Sequence, residues 1–201
     1  MKENLFSPMQ LDAIREVSNI GAGNAATALS QLLNKKIDMS VPSVNIIDFE
    51  EVFSNFTDEK EVLGILIRVL GDTPGNILFI FEKDAASEIV EALIGSADML
   101  LTEMGKSALC EVGNIISGAF MNAISKFTNL SIMASVPAMS HDMLGAVLSS
   151  TMIETAQFSE NILEIETNFL TGNNCTEAGG YFYFLPMPGS LEKILNAIGV
   201  M

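Results

Sequence analysis

Residues 9–34 place Leu11, Ile14, Val17, Gly21, Ala25, Ala28 and Leu32 at steps of three and four, the period of a helix with one apolar face. Pro8 marks a helix start, and Lys35 and Lys36, just past the last turn, suit the helix dipole. The pattern then changes to alternation over residues 37–47 (IDMSVPSVNII), where Pro42 confines a strand to a sheet edge or a bulge. Two apolar runs, 62–70 (VLGILIRVL) and 76–82 (NILFIFE), are separated by the turn sequence GDTPG and are predicted to form a hairpin. Helical spacing returns over 84–95 and closes at Gly95. The predicted order is helix–strand–strand–strand–helix.

The same unit then occurs again. Residues 16–42 and 111–137 match without a gap at a constant offset of 95. Glu16/Glu111, Asn19/Asn114, Gly23/Gly118, Ser30/Ser125, Asn34/Asn129 and Pro42/Pro137 are among the identical pairs. Further on, Gly75 leads NILFIF as Gly180 leads YFYFL, and the enlarged offset places an insertion within 154–178. Two units are expected, about 8–95 and 103–200, with a junction near Ala97–Thr102, together forming a single domain over residues 1–201. Two copies are too few for a solenoid. The fold class expected is α+β: a pseudo-twofold duplication with helices packed on a largely antiparallel sheet. How strands pair across the units does not follow from periodicity.

One face of each long helix breaks the apolar rule. Asp12, Glu16, Asn19 and Gly23 follow one another at steps of four, three and four, and Ser107, Glu111, Asn114 and Gly118 repeat those steps. Such spacing stacks the four on one helix face. Taken singly, a Glu-Asn stripe is an ordinary solvated face. Neighbouring solvent positions differ between the units (Arg15 against Cys110, Asn24 against Ala119), whereas Glu and Asn are retained in both. A glycine inside a helix costs about 1 kcal/mol relative to alanine. Gly21 is expected to allow close packing. Gly23 and Gly118, one turn beyond the asparagines, are expected to admit a partner's backbone.

Composition removes several kinds of function. Hydrophobic residues make up 49% of the 201 and charged residues 17%, which excludes intrinsic disorder. Asp and Glu total 25 against 10 Lys and Arg, a net charge of −15. That surface repels phosphate backbones and anionic lipid, so neither nucleic acid nor a membrane surface is expected as a partner. No stretch reaches the ~20 continuous apolar residues of a spanning helix. MKENLFSPMQ lacks the apolar core of a signal peptide. Cys110 and Cys175, without CxxC spacing, read as reduced thiols of a cytoplasmic protein. His141 is the single histidine, which leaves no imidazole-based metal site and no Ser-His or Cys-His pair. Gly21-Ala-Gly23-Asn-Ala-Ala26 matches a dinucleotide-binding pattern, but it follows a helical stretch rather than a strand and is absent from the second unit.

An asparagine amide is neither nucleophile nor base, yet it accepts and donates hydrogen bonds and can hold a water in one orientation. Phosphoryl transfer asks for little more than such positioning, as with the glutamine that orients water in GTPases. Glutamate one turn earlier is available for a charge-assisted bond to a partner cation.

The pattern (Asp/Ser)-x₃-Glu-x₂-Asn-x₂₂-Pro occurs twice, as Asp12, Glu16, Asn19, Pro42 and as Ser107, Glu111, Asn114, Pro137. It resembles the signature of the CheC/CheX/FliY family of phosphatases, which dephosphorylate the chemotaxis response regulator CheY. The resemblance covers essentially the whole chain. It implies that Asn19 and Asn114 orient the attacking water at the regulator's phospho-aspartate, and that Glu16 and Glu111 bind the regulator's active-site lysine. Asp12 and Ser107 would contribute to docking, and Pro42 and Pro137 would shape the neighbouring strand. Mg²⁺ would belong to the phosphorylated partner, with no cofactor bound by this chain. A second partner implied is CheD, a receptor glutamine deamidase. The segment His141–Glu154, with Asp142, is the candidate surface for it, and a core helix is the alternative for the same segment. The competing function is a non-catalytic adaptor that binds CheD or a flagellar switch component.

Overall fold

The computed structural model describes residues 7–41, 43–48, 60–156, 161–171 and 176–200. Helix α1 spans Pro8–Leu33 and α3 spans Glu103–Thr128. Ser7 starts α1 with a capping box: its Oγ accepts from the Gln10 N–H, and its own N–H donates to Gln10 Oε1 at 2.7 Å. Thr102 caps α3 by accepting from the Gly105 N–H. Both helices end on an asparagine in the left-handed region, Asn34 at φ 49° and Asn129 at φ 55°. Ser30 Oγ accepts from the Ile37 N–H, and Ser125 Oγ donates to the Leu130 carbonyl. The repeated Ser30/Ser125 and Asn34/Asn129 pairs are thus the stops of the two helices.

After α1 come β1 (Ile37–Ser40), β2 (Val44–Asp48), β3 (Glu61–Gly71), β4 (Gly75–Glu82) and α2 (Lys83–Ile94), which Gly95 terminates at φ 83°. A 3₁₀ turn at Ala97–Met99 lies between α2 and α3. After α3 come β5 (Ile132–Ala134), β6 (Ala138–Met143), α4 (Leu144–Ala156), β7 (Asn161–Thr171), β8 (Thr176–Pro186) and α5 (Ser190–Ala197). The expected single strand over 37–47 is two short strands, β1 and β2, both paired with β7. Pro42 lies outside the described residues.

The eight strands form one antiparallel sheet in the order β1-β7-β8-β4-β3-β5, with β2 on β7 and β6 on β3. The halves therefore exchange strands. The first half's β1 and β2 pair with the second half's hairpin, and β5 and β6 pair with the first half's β3. At the centre, β4 and β8 pair so that Gly75 faces Pro186 and, symmetrically, Phe81 faces Gly180, with Leu78 opposite Tyr183 on the pseudo-twofold axis.

Every residue from Ile77 to Phe81 is buried, because the sheet is covered on both faces, and this is why β4 reads as a continuous apolar run. One face packs Ile65, Ile67, Ile77, Phe79 and Phe182 against residues of α1, α2, α3 and α5. The other packs Val62, Leu78, Ile80, Tyr183 and Leu185 against Leu144, Val147 and Leu148 of α4.

Helices α1 and α3 lie against each other. A Cβ on Gly21 would sit 3.0 Å from the Phe120 Cα, so Gly21 permits this approach as expected. The buried face of α1 runs through Ile14, Ser18, Gly21, Ala22, Ala25, Leu29 and Leu33. Leu32, expected in the core, is exposed, and Ala28 is half-buried. Over 26 residues the 3.6 period carries the seam one position past the sequence-based expectation. The dinucleotide-like stretch at 21–26 lies inside α1, with no strand before it.

Candidate active site

On α1, Asp12, Glu16 and Gly23 are exposed, and on α3, Ser107, Glu111 and Asn114 are exposed, while Gly118 is half-buried. A Cβ added at Gly23 or Gly118 would meet nothing within 4 Å, so both glycines leave open space beside their stripes. Asp12 is paired with Arg15 at 2.8 Å, an exposed i,i+3 contact.

In the second unit the signature converges. Ser107, Glu111, Asn114 and Pro137 line one open cleft of about 610 Å³, together with Glu103, Lys106, Cys110, Ala134, Ser135 and Val136. Its walls are the polar face of α3 and the turn between β5 and β6. This explains the spacing: the proline comes 23 positions after the asparagine because the chain must finish the helix, turn and return along β5 before reaching it. Pro137 is therefore a wall of the cleft.

Asn19 departs from the expectation of a freely presented amide. It is half-buried, and its Oδ1 accepts a 3.0 Å hydrogen bond from the Val41 N–H. The helix amide thus caps the backbone where β1 ends. Asn114 has no such bond among the described residues.

Lys106 and Val136 lie in the cleft and were not singled out by sequence. Lys106 Nζ lies 3.3 Å from Glu103, an exposed pair of little energetic weight. Its counterpart in the first unit is Leu11, so the repeat comparison carried the signal as a difference rather than an identity. Cys110 is a free thiol whose ionisation burial pushes upward, which disfavours the nucleophilic thiolate. Cys175 lies outside the described residues.

His141 is not in the cleft. Its Nε2 lies 2.9 Å from Glu61 Oε1, while Lys83 Nζ donates to Glu61 Oε2 at 2.7 Å. The Lys83 hydrogen bond, helped by the charges of Lys83 and His141, holds the Glu61 carboxyl below its ordinary range. Asp142 is exposed and accepts locally from the Met143 N–H. The apolar positions Leu144, Val147 and Leu148 of the candidate segment are spent in the core under α4. Among the described residues, no group of three or more His, Cys, Asp or Glu could hold a metal ion, and no helix is long and apolar enough to cross a membrane.

Residues 9–46 and 104–141 each match the model of the CheC-like family, and each match holds one stripe with the strand segment that follows it. The CheY-P phosphatase CheC of Bacillus subtilis is 37% identical over 196 residues, covering 94% of each chain. The chain belongs to the CheC-like family. The flagellar motor switch phosphatase FliY of the same organism is 33% identical over 136 residues, which are 66% of this chain and 35% of that protein. Among solved structures, FliY of Thermotoga maritima superposes with a TM-score of 0.80 at 20% identity, covering 96% of this chain and 98% of that one. The FliM middle domain from H. pylori gives 0.69 at 12% identity, covering 96% and 99%. These two likenesses speak for the fold alone.

Proposed function

We propose that this CheC-like chain hydrolyses the phospho-aspartate of a CheY-type response regulator, with Asn19 and Asn114 orienting the attacking water and Glu16 and Glu111 docking the regulator's lysine. Membership of the CheC-like family supports a phosphatase role. The observation that carries the finer reading is the convergence of Ser107, Glu111, Asn114 and Pro137 on one open cleft. A carboxamide on a rigid helix, beside a carboxylate and with no side chain blocking the next turn at Gly118, suits insertion into a partner's site. The regulator supplies the phosphoryl group and its Mg²⁺; this chain supplies a positioned amide. CheD is proposed as a second partner, on the outer side of α4 near Asp142 and Met143, where Gly145 and Ala146 are exposed. The FliM likeness keeps an adaptor role open at the level of fold, and the retention of both Glu-Asn pairs favours catalysis.

The test compares substrates. The chain is expected to accelerate phosphate loss from Mg²⁺-loaded phosphorylated CheY and to leave aryl and alkyl phosphates untouched. Turnover of a generic phosphate ester without effect on the regulator would overturn the reading. Cys110→Ala is expected to retain most of the activity, because its burial-raised thiol is no nucleophile. Loss of turnover in that variant, with its fold intact by circular dichroism, would assign the thiol a chemical role.

A further inference from the structure

Ser-Val-Pro follows each stripe helix, as residues 40–42 and 135–137, yet its valine takes opposite positions. Val41 is 2% exposed and Val136 is 87% exposed. In the first unit the Val41 N–H is drawn to Asn19 Oδ1. In the second, Ser135 ties the turn to β3, as Ser40 is registered with Asn168 of β7 in the first: the Ser135 N–H donates to the Arg68 carbonyl at 2.9 Å, and its Oγ accepts from the Arg68 N–H at 3.0 Å. The cleft opens between this turn and α3, Val136 stands on its wall, and the Asn114 carboxamide makes no side-chain hydrogen bond among the described residues.

A single exposed valine is ordinary on a protein surface. The contrast here is that the same residue, in the same tripeptide, is buried in one unit and presented beside the reacting amide in the other. We propose that Val136 is a docking residue of the second site, seating against the phosphorylated regulator, and that the two sites are unequal. The second is open as it stands. The first must share or release Asn19 Oδ1 from Val41 before that oxygen can orient a water. This rests on the phosphatase reading above for its partner, and on the valine contrast for its residue.

The experiment uses the full chain with Asn19→Ala, so that only the second site acts. Binding is read with CheY carrying beryllofluoride, a stable mimic of its acyl phosphate, and turnover with phosphorylated CheY. Adding Val136→Asp is expected to raise Kd and KM about tenfold, as for a central contact residue, with kcat within about twofold. Val136→Leu is expected to restore most of the affinity. Leu32→Asp, at another exposed apolar position, is expected to change neither constant. Asn114→Ala alone is expected to cost more activity than Asn19→Ala alone. Unchanged Kd and KM in Val136→Asp would overturn the docking role, and an inactive Asn19→Ala chain would overturn the ranking of the sites. Binding weakened by Val136→Asp, with no turnover in any variant including wild type, would support the docking residue and overturn the phosphatase reading instead.

Discussion

Replacing Asn19 and Asn114 by alanine together is expected to return the regulator to its spontaneous rate of dephosphorylation, while each single variant leaves the other site working. Each lost amide should cost on the order of 10²–10³ in rate at its own site, as when one positioned polar group is removed from a preorganised centre. Activity of the whole chain then falls only by the share that site carries. Glu16→Ala and Glu111→Ala should act through KM, since a charge-assisted docking contact is lost. The two asparagines differ in what their removal does to the fold. Asn114 is exposed and its truncation should be nearly neutral for stability. Asn19→Ala deprives the Val41 N–H of its acceptor, a loss on the order of 1 kcal/mol. Initial rates for the single and double variants, with denaturant unfolding alongside, separate the effects. A folded double variant at the wild-type rate would remove Glu-x₂-Asn from the chemistry. A single variant that abolishes all activity would show that the sites depend on each other.

Phe120→Ala is expected to destabilise the chain by about 3–5 kcal/mol, a large share of the total for a protein of this size. Phe120 is buried on the inner face of α3. It packs against the backbone of α1 at Gly21, and its ring stacks on Phe182 of β8 with centroids 4.7 Å apart. Phe182 in turn meets Phe79 of β4 edge-on at 4.9 Å. The residue therefore joins both stripe helices to the strands on either side of the pseudo-twofold axis. A small apolar cavity already lies between α1, α3 and the sheet with Phe120 in its wall, so truncation enlarges an existing void rather than opening a site that neighbours can refill. The midpoint of urea unfolding should fall accordingly. A loss below about 1 kcal/mol would mean that the helices repack around the gap.

Much of this was legible because helical period, turn residues and the repeat all act locally. The hairpin around GDTPG, the stop at Gly95 and the two long helices that carry the stripes stand where their spacing places them. The helix start marked by Pro8 also holds, with Ser7 and Gln10 closing a capping box there. The exchange of strands between the halves was not legible. An alternating pattern fixes which face of a strand is buried but does not name the strand beside it. The division of 37–47 into β1 and β2 likewise depends on β7, more than a hundred residues away. For α4, the spacing of Leu144, Val147 and Leu148 describes one apolar stripe, and only the uncovered second face of the sheet decides that it goes inward. The latch on Asn19 is the clearest case. Ser-Val-Pro is the same in both units, so no local pattern distinguishes a buried Val41 from an exposed Val136.

The central claim is tested most directly by mixing a substoichiometric amount of the chain with Mg²⁺-loaded, aspartyl-phosphorylated CheY and following release of inorganic phosphate against time. The expected result is multiple turnovers per chain, with a rate that rises linearly with chain concentration and is lost in the Asn19→Ala, Asn114→Ala double variant. Phosphate release that stays at the regulator's own rate, with binding of the two proteins demonstrated in the same mixture, would contradict a catalytic role for the two stripes.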